Sequence, residues 1–136
     1  MREISLEQIV YIDGAFVPAS PVIAALQLPD SHPSKKIAQE YVRDYEAANG
    51  AGSVAAFGSY AWDACLELAS AIPQALKSAQ PGTKEFRRAL RDALEGIKDL
   101  GVTNGVVTMS KTDHLGLDNR ARVMVQIKDG KWVLQP

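Results

Sequence analysis

The sequence predicts a fold of the α/β or α+β class, with about three main helices, a few strands and a C-terminal β-hairpin. Three segments repeat apolar residues every three or four positions, the spacing that places them on one face of a helix. The last third changes to an alternation of apolar and polar residues, and then to an Asp-Gly turn and a short apolar run. With 136 residues, 46% of them hydrophobic, the chain is long enough for one domain with its own core.

The first 33 residues predict two short strands followed by a proline-rich connection. Residues 8–12 and 15–17 are rich in β-branched and aromatic side chains, and Asp13-Gly14 between them is a turn signal. Four prolines then occur within 16 residues, which excludes a long helix there. We expect residues 18–33 to form an ordered surface connection with at most one helical turn, near residues 22–26.

The first predicted helix begins at Ser31-His-Pro-Ser34, where a hydroxyl cap and an early proline form a start signal, and it ends at Asn49-Gly50. The second is predicted over residues 55–79, with a kink or break at Pro73, whose missing N–H removes one backbone hydrogen bond. Because this helix carries few charges, we expect it to be central to the domain. Its predicted buried positions are Trp62, Cys65, Leu66, Ala69, Ile72 and Leu76.

The third helix is expected to start at a Thr83 cap and to end at Gly101. Its predicted core positions are Phe86, Leu90, Ala93, Leu94 and Ile97. A strand is then predicted at residues 106–109, and an alternating strand at residues 120–127 is joined by Asp129-Gly130 to a last strand at residues 132–134.

Composition and charge exclude several classes of function. Fifteen basic and sixteen acidic residues give a net charge of −1, so neither nucleic acid nor an anionic membrane is an expected partner. No apolar run is long enough to span a membrane, and the first ten residues lack the apolar core of a signal peptide. A single cysteine, Cys65, excludes an intrachain disulfide and a multi-cysteine metal site, and its place among the predicted buried positions indicates an inert thiol.

The candidates for catalysis are weak, and we expect no enzyme, metal or cofactor. Asp113-His114 could provide a general base, but no nucleophile is paired with it, and the alternative is that Asp113 caps a turn while His114 packs over the hairpin. His32 stands beside prolines at a helix start, where a capping or surface role is expected. The glycine-rich segment of residues 49–53 lacks the pattern of a phosphate-binding loop and indicates a connection between helices.

The strongest binding candidate is the start of the second helix, with Phe57, Ser59 and Tyr60 as ligand-binding residues. A helix N-terminus offers unpaired N–H groups to a carboxylate, and adjacent aromatic and hydroxyl groups suit a small amphipathic ligand. The alternative stays open: Phe57 and Tyr60 would belong to the core, and Ser53 or Ser59 would cap the helix.

Four stretches of the sequence resemble a known family in order and spacing. These are residues 13–50, the segment AFGSYAWDACLELASAI with its Trp62-Asp63-Ala64 step, PGTKEFRRALRDALEGIKDL, and the last segment with its Asp113–Gly116 loop and its closing Gly130-Lys-Trp132. Together they resemble the C-terminal portion of ABC-transporter substrate-binding proteins of the branched-chain amino-acid (leucine/isoleucine/valine) type. Residues 1–12 do not match and form a separate N-terminal strand or extension, whereas residues 13–136 carry the resemblance.

The resemblance implies a partial lobe of a type I periplasmic binding protein, a fold in which two lobes close on a ligand. The implied function is a solute-binding component of an ABC importer, or a fragment of one, with an amino acid or related carboxylate as ligand and an ABC permease as partner in the full-length relative. It also implies a periplasmic location, although a chain expressed as written, without a signal peptide, would stay in the cytoplasm. Phe57 stands where the family often places an aromatic against the ligand.

Only a portion of the two-lobed fold is represented, and this has a physical consequence. Apolar helix faces would be left without the sheet that covers them, so we expect a homo-oligomer. The alternative function is a self-associating structural domain that kept the fold and has no ligand site of its own.

Overall fold

The computed structural model describes residues 12–136 and confirms the predicted fold class. Its elements in chain order are β1 (Phe16–Ala19), a 3₁₀ turn (Pro21–Ala24), α1 (Lys35–Asn49), α2 (Ala56–Ala75), α3 (Lys84–Glu95), β2 (Leu100–Val102), β3 (Gly105–Val107), a 3₁₀ turn (Asn119–Ala121), β4 (Val123–Lys128) and β5 (Lys131–Leu134). The predicted strand at residues 8–12 and the predicted separate segment, residues 1–12, fall almost wholly outside the described range.

Within residues 12–136, two antiparallel sheets accompany the three helices. β4 lies between β1 and β5 in one sheet, and β2 and β3 form a separate hairpin. The predicted C-terminal hairpin is confirmed, since Asp129 and Gly130 take positive φ angles of 50° and 70° in the two-residue turn between β4 and β5. The side chain of Gln27 lies along β5, accepting a hydrogen bond from the Leu134 N–H and donating one to the Trp132 carbonyl oxygen.

The proline-rich segment belongs to the core and is not the surface connection that its composition predicts. Pro18 lies within β1, at the edge of the sheet, and the segment then turns into the 3₁₀ helix. Val22 and Ala25 pack with Ala38 and Tyr41 of α1 in one of the two apolar clusters. The prolines stop regular helix formation, but they leave the intervening aliphatic side chains free to be buried.

The limits of α1 agree with the prediction, but the predicted hydroxyl cap is wrong, because the Ser34 hydroxyl donates to the Gly105 carbonyl oxygen. α2 and α3 end earlier than predicted. α2 continues through Pro73 without a break and stops at Ala75. The predicted Thr83 cap of α3 is confirmed, because its hydroxyl accepts the Phe86 N–H, but the helix ends at Glu95, before Gly96. Gly101 lies in β2, a strand that the sequence analysis missed.

The buried side of α2 differs from the predicted one. Ser59, Asp63, Ala71 and Ala75 are its buried residues. By contrast, the predicted positions Cys65, Ala69, Ile72 and Leu76 are exposed, and Trp62 and Leu66 are half-buried. Apolar periodicity failed to place the buried side because Asp63, a charged residue, points inward. We call the apolar surface on the other side the exposed α2 face, defined by Ala61, Cys65, Leu68, Ile72 and Leu76.

Candidate functional site

The candidate site lies at the start of α2, where the α1–α2 connection ends. Gly50 and Gly52 have positive φ angles and turn the chain, and Ala55 precedes the helix in an extended conformation. No side chain caps this helix start, so the predicted caps Ser53 and Ser59 are wrong. The first-turn N–H groups of α2 therefore have no side-chain acceptor in the described structure.

An open recess of about 530 Å³ lies beside this helix start. Its wall is mainly apolar and is formed by Ile23 of the Pro21–Ala24 turn, Leu26 just after that turn, Val42 of α1, and the rings of Phe57 and Trp132. Among the described lining residues, Glu46 alone is charged, and one of its carboxylate oxygens accepts the Gly52 N–H at 2.9 Å. The recess therefore combines an apolar wall, one carboxylate and an uncapped helix N-terminus.

Two of the three predicted binding residues are on the surface at this site. Phe57 is 72% exposed and Tyr60 is 44% exposed, so the alternative that both belong to the core is wrong. Their rings meet edge to face with centroids 6.3 Å apart, and the Tyr60 hydroxyl lies 3.1 Å from the Ser20 hydroxyl. Phe57 lines the recess, whereas Tyr60 lines a smaller cavity of about 200 Å³ on the side of the β2–β3 hairpin.

Ser59, the third predicted binding residue, is fully buried. Its hydroxyl donates to the Ala56 carbonyl oxygen at 2.6 Å and accepts from the Asn104 amide nitrogen at 2.9 Å. In this position its side chain joins α2 to the β2–β3 turn, away from the recess.

Asp63, to which the sequence patterns assigned no role, is a buried carboxylate that joins α2 to the β2–β3 turn. One oxygen of Asp63 accepts the Thr103 N–H at 2.8 Å and the Thr103 hydroxyl at 2.7 Å. The other accepts the Asn104 N–H at 3.2 Å and its side-chain amide at 2.7 Å. Four donors thus fix the β2–β3 turn to α2. The sequence signal for this role was an acidic residue in a helix with only one other charge, Glu67, together with the Thr-Asn-Gly sequence at 103–105.

The smaller cavity beside Tyr60 is partly acidic. Asp63 and Glu67 both line it, together with Leu115. Burial, and secondarily the neighbouring Asp63, raises the pKa of Glu67. Because all four Asp63 contacts come from the β2–β3 turn, this carboxylate acts in folding.

Tyr41 fixes the distance between α1 and the start of α2. It is fully buried, its ring packs against Tyr45 and Trp62, and its hydroxyl has no hydrogen-bond partner. Burial, and then the charges of Tyr45 and Asp63, raise the pKa of Tyr41. A Cβ atom on Gly58 would lie 2.5 Å from the Tyr41 hydroxyl, so only glycine allows this close approach.

Asp113 and His114 form contacts that stabilise the loop after β3. The Asp113 carboxylate accepts the N–H groups of Leu115 and Gly116, each at 3.0 Å, which confirms the predicted turn cap. The His114 ring is exposed and pairs with Glu95 at the end of α3, at 3.3 Å, instead of packing over the hairpin. Among these contacts, His114 has no hydroxyl or thiol partner that it could activate as a nucleophile.

The two remaining reactive side chains are His32, which accepts a hydrogen bond from the backbone, and Cys65, which is exposed. The His32 ring nitrogen Nδ1 accepts the Ser34 N–H at 3.2 Å, and partial burial lowers the pKa of His32. The Cys65 thiol is exposed, which contradicts its predicted burial. Within residues 12–136, no three His, Cys, Asp or Glu side chains are grouped so that they could hold a metal ion. No helix in that range is both long and apolar enough to cross a bilayer.

Among known proteins, the chain is similar to proteins of solved structure. No protein-family model and no curated protein match the chain. Solved structures do: an extracellular ligand-binding receptor from Rhodopseudomonas palustris HaA2 matches with a TM-score of 0.88 and 36% identity over 95% of this chain. The chain is similar to part of such a receptor.

Two further structures agree. A second R. palustris extracellular ligand-binding receptor matches with a TM-score of 0.86 and 36% identity over 92% of the chain. A third, from strain HaA2, matches with a TM-score of 0.81 and 37% identity over 95%. The chain covers 36%, 35% and 37% of these receptors, so it spans about a third of their length. These proteins are named as ligand-binding receptors and not as enzymes.

Proposed function

We propose that the chain is a solute-binding component of an ABC importer, or a portion of one, and that it is not an enzyme. The observation that carries this proposal is the match over 95% of the chain to a ligand-binding receptor, with an open apolar recess beside an uncapped helix start. In a complete binding protein the ligand would be trapped by closure between two lobes, driven by its higher affinity for the closed form. The location would be periplasmic and the partner an ABC permease.

The chemistry of the recess favours an amino acid or a related carboxylate as ligand, and within that class leucine, isoleucine or valine. The uncapped N-terminus of α2 suits a carboxylate, because helix N–H groups and the positive end of the dipole favour an anion. Phe57 and Val42 offer an apolar wall to an aliphatic side chain, and Glu46 offers the negative charge that an amino group would need. Tyr60, beside Phe57, would border the ligand, whereas buried Ser59 would act by holding α2 in place.

The isolated chain should bind these ligands only weakly, because about two-thirds of the receptor length is absent. Calorimetry with leucine, isoleucine, valine and their 2-oxo acids tests this expectation, and micromolar affinity for the chain alone would contradict it. The site itself is tested in a chimaera in which this chain replaces the matched segment of the HaA2 receptor.

In that chimaera, Phe57→Ala should weaken binding of the best ligand roughly tenfold, because an aromatic wall of the recess is removed. Phe16→Ala is the matched control, since Phe16 is also exposed, lies on β1 and does not line the recess. Equal affinities of the two variants would refute the role of Phe57.

A second candidate function, self-association of the chain as a structural domain, is favoured by the exposed α2 face. Leu68, Ile72 and Leu76 are 39%, 36% and 50% exposed on one side of one helix. Size-exclusion chromatography with light scattering should then give a homo-oligomer at micromolar concentration, and a clean monomer would exclude this candidate.

A further inference from the structure

A second open recess, of about 640 Å³, lies where the start of β4 and the end of β5 meet the segment after the Pro21–Ala24 turn. Gln27 borders both this recess and the one beside the start of α2. Backbone pairing continues past the end of β5 here, because the Gln135 N–H donates to the Met124 carbonyl oxygen at 2.9 Å. We call this second cavity the β4–β5 recess, and its volume is in the range of small-molecule sites.

The wall of the β4–β5 recess is mainly apolar. Its apolar members are Leu28, Pro29, Val123, Met124 and Leu134. Of these, Met124 is exposed, and Val123 and Leu134 are half-buried, so apolar surface is open to an incoming molecule. Because covering such surface removes it from water, the wall favours a ligand with an aliphatic body.

Arg122 gives the β4–β5 recess a positive charge. Among the described lining residues none is acidic, and only this guanidinium is permanently charged. Its Nη1 donates to the Ala121 carbonyl oxygen at 2.9 Å, which leaves N–H groups on the other two nitrogens free to donate. Within residues 12–136, Arg43, Arg91 and Arg120 each form a salt bridge with a carboxylate, whereas none of the salt bridges includes Arg122. An unpaired cation beside apolar surface suits an amphipathic anion.

His32 adds an uncharged hydrogen-bond donor to the same recess. Its Nδ1 accepts the Ser34 N–H at 3.2 Å, so the neutral ring carries its proton on Nε2. Partial burial lowers the pKa of His32, which keeps the ring neutral at pH 7. The ring therefore contributes an N–H group without adding a second charge.

We infer that the β4–β5 recess is a second binding site, for a small aliphatic monocarboxylate that has no amino group. The carboxylate would accept hydrogen bonds from Arg122, and the aliphatic part would cover Met124 and Leu134. An amino acid is disfavoured, because its ammonium group would lie near a guanidinium and would find no acidic side chain among the described lining residues. The recess beside α2 has the opposite charge, that of Glu46. The inference is independent of the proposed function, since it concerns other residues and requires no second lobe.

The test is a titration of the full chain with 4-methylpentanoate, followed by NMR at constant pH and ionic strength. The methyl resonances of Met124 and Leu134 should shift and saturate with a dissociation constant in the millimolar range. Leucine is the matched control ligand, because it has the same carbon skeleton and one additional amino group. It should bind at these methyl groups at least roughly tenfold more weakly.

Two further comparisons separate the charge from the apolar wall. Arg122→Gln should weaken binding of 4-methylpentanoate roughly tenfold or more, because a charge-assisted hydrogen bond is lost. Arg88→Gln is the matched control and should leave the affinity unchanged, since Arg88 is exposed on α3, forms no salt bridge in the described part of the chain and does not line the recess. Acetate, which lacks the aliphatic body, should bind at least roughly tenfold more weakly than 4-methylpentanoate.

The opposite results would refute the inference. Unshifted Met124 and Leu134 methyl groups, or equal affinities of the Arg122→Gln and Arg88→Gln variants, would show that this site does not exist. Equal binding of 4-methylpentanoate, acetate and inorganic phosphate would reduce the recess to a general attraction of anions. Shifts confined to Phe57 would assign the ligand to the recess beside α2. The Phe57→Ala chimaera experiment tests the proposed function separately, so either proposal can fail without the other.

Discussion

The substitution Asp63→Ala should lower the free energy of unfolding strongly. The Asp63 carboxylate accepts four hydrogen bonds, at 2.7–3.2 Å, from Thr103 and Asn104, which are 0% and 1% exposed. Asp63→Ala would leave four buried donors without their acceptor. Each orphaned buried group costs about 1–3 kcal/mol, and the costs within one network are not additive, so we expect a total loss of about 3–5 kcal/mol.

Urea unfolding followed by circular dichroism measures this loss. With a slope of about 2 kcal/mol per molar, the midpoint should fall by roughly 2 M. Asp30→Ala is the control, because Asp30 forms an exposed ion pair with Lys35, and its removal should leave the midpoint nearly unchanged. An Asp63→Ala variant as stable as the control would refute the view that this carboxylate holds the hairpin.

Three other predictions concern Tyr41, Gly58 and His32. Gly58→Ala should destabilise the fold by about 1–3 kcal/mol, because its Cβ would meet the Tyr41 hydroxyl, and Tyr41→Phe should rescue much of this loss in a double-mutant cycle. Burial raises the pKa of Tyr41 in the folded state, so the native protein keeps the hydroxyl proton up to a higher pH than the unfolded chain does. The free energy of unfolding should therefore fall above about pH 10, and it should fall less in Tyr41→Phe. Equilibrium unfolding at a series of pH values measures both. Partial burial lowers the pKa of His32 in the folded state, so on acidification the unfolded chain is protonated at a higher pH than the native protein. The free energy of unfolding should therefore fall as the pH drops below about 6.5, and His32→Gln should remove this decrease.

Local signals in the sequence predicted local structure well. The Asp129-Gly130 turn, the Thr83 cap and the Asn49-Gly50 helix end depend on neighbouring residues alone, and all three are confirmed. Gly101 was misread as a helix end, because the chain leaves α3 at Gly96 and Met109 then binds the Ile97 carbonyl oxygen. That bond joins residues twelve positions apart, which periodicity does not show.

The orientation of α2 was not predictable from apolar periodicity. Most of its sides are apolar, so hydrophobicity alone does not choose between them, and the inward side is chosen by Asp63 and Ser59 through their contacts with Asn104. At the site, the exposure of Phe57 and Tyr60 agrees with the binding hypothesis, although their contact with a ligand stays a prediction. Ser59 is fully buried, so its hydroxyl, although it lies at a helix start, stabilises the fold through contacts within the protein.

The amide of Gln27 has a consequence for what the chain does in concentrated solution. By bonding to Leu134 and Trp132 it occupies backbone groups on the outer edge of β5, where another strand could otherwise add. At the opposite edge of the same sheet, Pro18 has no N–H to offer an incoming strand. Addition of a further strand is therefore hindered at both edges of the three-stranded sheet that residues 12–136 form.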